Sequence, residues 1–303
     1  MIFNRRATLL GLGAFGGYAA TFSGGMLPAW AEAQPVLYKV RNGSAQVYVF
    51  GFGEAKDWSW LTPAIRAAFD ESKEVWFETP PPNPNPPPNP PASQTQPPPQ
   101  ATPSQERSLF SVLKPELSGR LLAAAEKYGV PRDRLEHVPV WRAYFIINGA
   151  YLAKIGLQDL GIENYADVVL SKMAFETGKS VKSEFATDGD AMNYFVSMSE
   201  AESGERLEFL LDYLSDEESG KRTDRYDWIE GANNNRTIDN MRKKFPLLYQ
   251  NEQVRRNIEW ARRIESLLSQ DGTYFVAIGL QHTLGPDSVP NKMKELGLPL
   301  QML

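Results

Sequence analysis

The patterned part of the chain opens with Val36–Arg41 and Gln46–Phe50, alternating runs rich in β-branched and aromatic residues that flank Asn42-Gly43. Asn and Gly both tolerate positive φ, so this pattern predicts a β-hairpin. The second run leads into Gly51-Phe52-Gly53-Glu54, after which Leu61-Thr62-Pro63 predicts a helix start, Thr62 capping and Pro63 in the first turn. Ile65, Ala68 and Phe69 keep helical spacing, and Val75-Trp76-Phe77-Glu78 reads as a strand buried on both faces. From Glu106 to Glu218 the period turns helical, with apolar faces over Leu109–Tyr128, Trp141–Ile155, Tyr165–Thr177 and Asp190–Leu214. One short strand, Ser180–Phe185, interrupts it. Further helices are expected over Tyr226–Ala232, Ile238–Phe245 and Val254–Ser269, with Asn233-Asn234-Asn235 as a loop. The chain closes with a strand over Thr273–Ile278, the turn Gly279-Leu280-Gln281-His282, a helix over Val289–Leu296 and a strand from Leu298.

The two ends therefore repeat one plan: apolar strand, Gly-x-x-polar turn, Pro-marked helix start, short helix, strand. The expected fold is α/β, a mixed β-sheet built from duplicated strand-turn-helix-strand units and carrying a large helical insert. Thr79–Pro103 is dominated by Pro, Asn, Gln and Ser, a composition that cannot bury apolar surface and predicts a disordered insertion. Val36–Glu78 is too short to fold alone without disulfides or metal, so residues 32–303 are expected to form a single domain around that insertion.

Ahead of this region, Arg5-Arg6, the Gly-rich apolar stretch Leu9–Ala20 and the site Ala29-Trp30-Ala31 predict a signal peptide over residues 1–31. Arg5-Arg6-Ala7-Thr8-Leu9-Leu10 resembles a twin-arginine export signal, although a Sec leader reads similarly. The expected location is periplasmic or secreted. Beyond the leader no apolar stretch reaches the roughly 20 residues that cross a bilayer, so no transmembrane anchor is expected. Loss of Arg5 and Arg6 with the leader takes the net charge from -5 to -7, which argues against a nucleic-acid partner. The absence of cysteine excludes disulfides, thiolate metal sites and a cysteine nucleophile.

A strand that ends in glycine before a helix places the next polar residue at the carboxyl edge of the sheet, where α/β proteins bind ligands. Glu54 and His282 fit that position, and Glu78 and Glu184 stand at predicted strand ends. If one sheet gathers these strands, three carboxylates and an imidazole meet there, a donor set suited to Mn or Zn with an open position to activate water. The same residues also allow a plainer reading. A lone histidine after a strand is commonly a hydrogen-bonded structural residue, and Arg255-Arg256-Asn257 with Arg262 and Arg263 is commonly a solvated helix face from which one arginine turns inward. Trp58 and Trp60, close to Glu54, suit stacking on a sugar ring or packing in the core. His137, in Leu135-Glu136-His137-Val138-Pro139, is assigned no role.

The segments VYVFGFGE, WLTPAIRAAFDESKEVWFE and VRRNIEWARRIESLLSQDGTYFVAIGLQHTLG resemble the TraB/GumN family, which is related to the Tiki metalloproteases. The resemblance implies shared elements: a first Gly-x-x-His, a strand-end Glu, an Arg-Asn pair on the penultimate helix and a second Gly-x-x-His. Glu78, Arg256, Asn257 and His282 match in place, whereas the first family histidine falls on Glu54 in Gly51-Phe52-Gly53-Glu54. The implied protein is a metal-dependent, peptidase-like hydrolase with an altered first motif. Glu54 and His282 would hold a divalent metal (Mn, Co or Zn). Glu78 would ligate it or act as general base, and Arg256 would stabilise an oxyanion. Asn257, Glu184, Gly51 and Gly279 are supporting candidates, and the implied substrate is a peptide or envelope polymer. The Glu54 replacement leaves a second expectation open, a non-catalytic envelope binding or assembly protein, or an accessory factor in polysaccharide production.

Overall fold

In the computed structural model, the opening hairpin pairs β1 (Leu37–Asn42) with β2 (Ala45–Phe52), Asn42 opposite Ala45. Of the turn residues only Gly43 takes a positive φ, 59°, so the tight turn is Gly43-Ser44 with glycine at its first central position, rather than one centred on Asn42-Gly43. The structure describes residues 34–81, 107–155, 162–219, 227–230 and 235–303. The expected leader, residues 82–103 of the Pro-rich stretch, and most of the loop at 233–235 lie outside them. After β2 come α1 (Pro63–Glu71), β3 (Glu74–Phe77), α2 (Pro115–Lys127), α3 (Val140–Ile155) and α4 (Ala166–Glu176). Then follow β4 (Ser180–Ser183), α5 (Asp188–Val196), α6 (Glu200–Glu218), α7 (Arg236–Lys244), α8 (Arg256–Leu267), β5 (Gly272–Gly279), α9 (Val289–Glu295) and β6 (Leu300–Met302). Among the described residues no helix is long and apolar enough to cross a membrane.

The described residues fall into two compact units, one built around the sheet and one helical. The sheet is mixed and six-stranded, in the order β4-β3-β5-β2-β1-β6. β4, β3, β5 and β2 run parallel, and β1 is antiparallel to both of its neighbours. Each expected strand-turn-helix-strand unit is present as a crossover, β2-α1-β3 stepping over β5 and β5-α9-β6 stepping over β2 and β1. The two crossovers run in opposite directions along the sheet, so right-handed connections put their helices on opposite faces.

The core bears this out. Val47, Val49, Val276 and Ile278 pack with Trp260, Ala261 and Ile264 of α8 and with Val289 and Met293 of α9. On the other face Phe50 meets Phe275 at 6.1 Å, and Phe69 of α1 meets Phe275 edge-on at 5.9 Å. Trp60 stacks on Phe50 at 5.8 Å, and its indole N–H donates to the Asn164 carbonyl. Trp60 is therefore core, whereas Trp58 is exposed. Covered on both faces, every residue of β2 is buried, which explains its nearly continuous apolar run. α1 starts where expected, Thr62 Oγ1 accepting from the Ile65 amide with Pro63 next in line.

The helical unit packs α2, α3 and α6 around Leu121, Ala143, Tyr144, Ile147, Leu207 and Leu210. Two long expected helices are each divided here. Leu109–Tyr128 breaks after the short turn Leu109–Val112, because Pro115 forces Lys114 out of helical geometry and starts α2 afresh. Asp190–Leu214 breaks between α5 and α6, where Ser199 and Glu202 form a reciprocal capping box. α4 and β4, expected within the helical section, belong to the sheet unit.

Candidate functional site at the carboxyl edge of the sheet

Four parallel strands end side by side, and each is followed by one of the acidic or imidazole groups singled out in the sequence. Glu78 follows β3, Glu184 follows β4, Glu54 lies two residues past β2, and His282 lies in the 3-10 turn Leu280–Thr283 after β5. The ladder pairs Phe52, not Gly51, with Gly279, so the two Gly-x-x-polar motifs are offset by one residue. Glu54, Glu78, Arg256, Asn257 and His282 are all buried.

Arg256, first residue of α8, is the hub. Its Nε donates to Glu184 Oε1 at 3.0 Å, Nη2 to Glu184 Oε2 at 2.5 Å and to Glu78 Oε2 at 2.7 Å, and Nη1 to Glu252 Oε2 at 3.0 Å. A planar fork reaching three carboxylates in this way is guanidinium chemistry that a lysine cannot reproduce. The helix leading into α8 is widened into a π turn over Gln250–Arg255, a distortion frequent at functional sites, and it buries Asn251, Glu252 and Gln253. Glu252 is a site residue that the sequence reading missed, although its i,i+4 spacing to Arg256 was a usable signal. Arg262 is exposed, while Arg263 lies over Trp76 and Trp260 and donates to the Ser183 carbonyl. His137 is exposed.

Glu78 is held on both oxygens, Oε1 accepting from the Gly279 amide and Oε2 from Arg256. Burial alone would raise its pKa, but the positive charge at His282 and Arg256 and the Gly279 N–H overcome this and hold the carboxyl well below the usual range. A carboxyl whose folded pKa is depressed contributes stability above its unfolded value, here about 4.5, and loses it as pH falls toward the folded value. Denaturant titrations stepped downward from pH 5 are therefore expected to show a falling stability that Glu78→Gln flattens. Identical acid limbs for the two proteins would rule this out.

His282 is fully buried, and its Nδ1 lies 2.6 Å from Asn257 Oδ1. The other end of that amide donates, Nδ2 reaching the Asp287 carbonyl at 2.8 Å and Gln253 Oε1 at 3.4 Å. Oδ1 must therefore be the atom facing the ring, and Nδ1 must carry the proton it accepts. In the neutral ring this leaves a lone pair on Nε2, which stands 3.3 Å from Glu78 Oε2 but off the line a hydrogen bond requires. Two acceptors in such a contact repel unless a cation, a proton on Nε2 or a metal ion, lies between them.

The donor set can be tested against the implied divalent metal on these atoms. Among the described residues no group of three or more His, Cys, Asp or Glu side chains is arranged to hold an ion, so the four expected donors do not close into a cage. Glu184 is drawn to Arg256 instead. A pair nevertheless fits: ligands about 2.1 Å from one ion at a near-tetrahedral angle are a little over 3 Å apart, as Nε2 and Oε2 are. Arg256 uses one lone-pair side of Oε2 and leaves the other. The Nδ1–H held by Asn257 is the outer-shell bond that metal-ligating histidines ordinarily make.

Gly51 has a packing reason to be glycine. A Cβ there would meet the Thr283 side chain at 2.6 Å, beside His282. Gly51→Ala is expected to lower stability in denaturant titration by about 1–3 kcal/mol through overpacking, and an unchanged midpoint would show that Thr283 swings away freely. Gly53 is covered by Trp228, whose indole N–H donates to the Glu54 carbonyl at 2.7 Å.

No curated protein and no solved structure matches the chain in comparisons with known proteins. The TraB/PrgY/gumN family model, however, matches residues 36–301, a span that takes in β1 to β5, most of β6 and all the residues of this cluster. The chain belongs to the TraB/PrgY/gumN family.

Proposed function

We propose that this protein is an exported, metal-dependent hydrolase of peptidase-like type, acting on a peptide or envelope polymer outside the cytoplasm. The observation that carries the reading is the Asn257-fixed imidazole, which leaves the Nε2 lone pair 3.3 Å from Glu78 Oε2. His282 and Glu78 would hold a divalent ion (Mn, Co or Zn), and Glu54, standing where the family resemblance implies the first histidine, lies buried at the same sheet edge. Such an ion, when bound, supplies Lewis-acid polarisation of a carbonyl and of water. Glu78, held on Oε1 by the Gly279 amide and on Oε2 by Arg256, serves as a ligand rather than a mobile general base. Arg256, surrounded by Glu78, Glu184 and Glu252, orients Glu78 rather than facing a substrate oxygen. Export rests on Arg5-Arg6 and the Ala29-Trp30-Ala31 site, and the peptidase class on the family resemblance.

The test is metal analysis of protein exported in its native host, with peptide hydrolysis followed before and after chelation. About one divalent ion per chain and chelator-sensitive hydrolysis are expected. Negligible metal together with chelator-resistant or absent hydrolysis would leave the second reading, a non-catalytic envelope binding or assembly protein. That reading is favoured by one observation: with Glu54 replacing an imidazole, no three-donor group forms among the described residues.

A further inference from the structure

The state of His282 depends on which way the Asn257 amide is turned, and Asn257 is turned by a group outside the cluster. Its Nδ2 makes its shorter bond, 2.8 Å, to the main-chain carbonyl of Asp287, a residue of the loop between the His282 turn and α9. A loop carbonyl is a poor anchor unless the loop itself is held. Here it is held on both oxygens of the Asp287 side chain. Tyr249 Oη donates to Oδ2 at 2.6 Å, and Lys292 Nζ lies 2.9 Å from Oδ1. Tyr249 ends the short helix Pro246–Tyr249 just before the π turn, and Lys292 sits in α9, so the clamp ties the loop to that short helix and to α9.

We infer that Tyr249, Asp287 and Lys292 are positioning residues for His282. They fix the Asp287 carbonyl, which orients the Asn257 amide, which in turn holds the proton on Nδ1 and leaves Nε2 as the ring nitrogen beside Glu78. None of the three touches the reacting groups, and none was a candidate in the sequence reading. The charge states agree with the geometry. Burial would raise the Asp287 carboxyl, but the hydrogen bonds from Tyr249 and Lys292 hold it below the usual range. Burial and the Asp287 bond both push the Tyr249 hydroxyl up, so it remains a donor.

This inference rests on the proposed role of His282, but its test does not need activity. The chain contains only two histidines, so nitrogen-15 labelling of histidine gives one signal set from the buried His282 and one from the exposed His137 as internal reference. Wild-type His282 is expected as a single form in which Nδ1 carries the proton that Asn257 accepts. The double variant Tyr249→Phe/Lys292→Met, which releases Asp287 while removing little bulk, is expected to add a second form with Nδ1 bare and the proton on Nε2, as is Asn257→Ala. Glu295→Gln, which removes only the exposed partner of Lys292, is expected to change nothing. A folded double variant that keeps the single wild-type form would overturn the clamp alone. A bare Nδ1 in the wild type would overturn the clamp and the proposed site together.

Discussion

Replacing Arg256 with alanine is expected to lower the stability of the protein by about 3–5 kcal/mol, the range measured when one partner of a buried ion pair is removed. The guanidinium side chain is only 4% exposed and meets Glu78, Glu184 and Glu252, whose side chains are 8%, 13% and 5% exposed. Without it these carboxylates would stay desolvated with their shared partner gone, and taking up protons or opening the edge of the sheet would each cost free energy. Arg256→Lys keeps the charge but loses the planar fork, so an intermediate loss is expected. Pairing Arg256→Met with Glu78→Gln and Glu184→Gln should recover much of the stability, since it removes the uncompensated charge along with the cation. Denaturant titration of the set checks this. A loss below about 1 kcal/mol for Arg256→Ala would put the cluster in the class of solvent-screened surface pairs and remove its place as the hub.

His282→Ala is expected to abolish metal retention and hydrolysis together, since it deletes the one imidazole at the sheet edge. The graded series around it carries more information. Asn257→Ala leaves the ring in place but frees its orientation, and loss of such an outer-shell partner weakens metal binding by about 10- to 100-fold. Glu54→His restores the residue that the family motif has at that position and is expected to tighten metal binding. Metal titration of the folded variants reads all three. Equal metal content in wild type and His282→Ala would remove the metal from the reading, and an unaffected Asn257→Ala would mean that the tautomer is irrelevant to it.

Local features could be read directly from the chain. The hairpin around Gly43, the Thr62-Pro63 helix start and the buried strands all follow from runs of a few residues, whereas the alignment of Glu54, Glu78, Glu184 and His282 at one edge also needed those strands to share one sheet. The edge alignment follows because parallel strands joined by crossovers must end on the same side. The Ser199/Glu202 capping box was legible too, but the apolar period continues across the break and concealed it. Pro115 was a comparable signal, and its effect on Lys114 is a local steric one.

The hydrophobic pattern could not reveal which arginine turns inward, and only the family resemblance pointed to Arg256. Arg255, Arg256, Arg262 and Arg263 all follow a helical period, and the π turn before α8 shifts the phase that would have assigned their faces. The link from Asp287 to Asn257 was equally hidden, because the accepting atom is a main-chain carbonyl that any residue would supply.

Taken alone, the sequence determined the α/β class, the strand ends and the chemical types gathered at the sheet edge, because propensity, capping and hydrophobic period act over a few residues. The pairing of those groups was decided by tertiary structure. Arg256 drew Glu184 out of the expected metal set, and Asn257 turned His282 toward Glu78. Hydrogen bonds and ion pairs between residues far apart in the chain depend on ångström-scale placement that no residue pattern encodes.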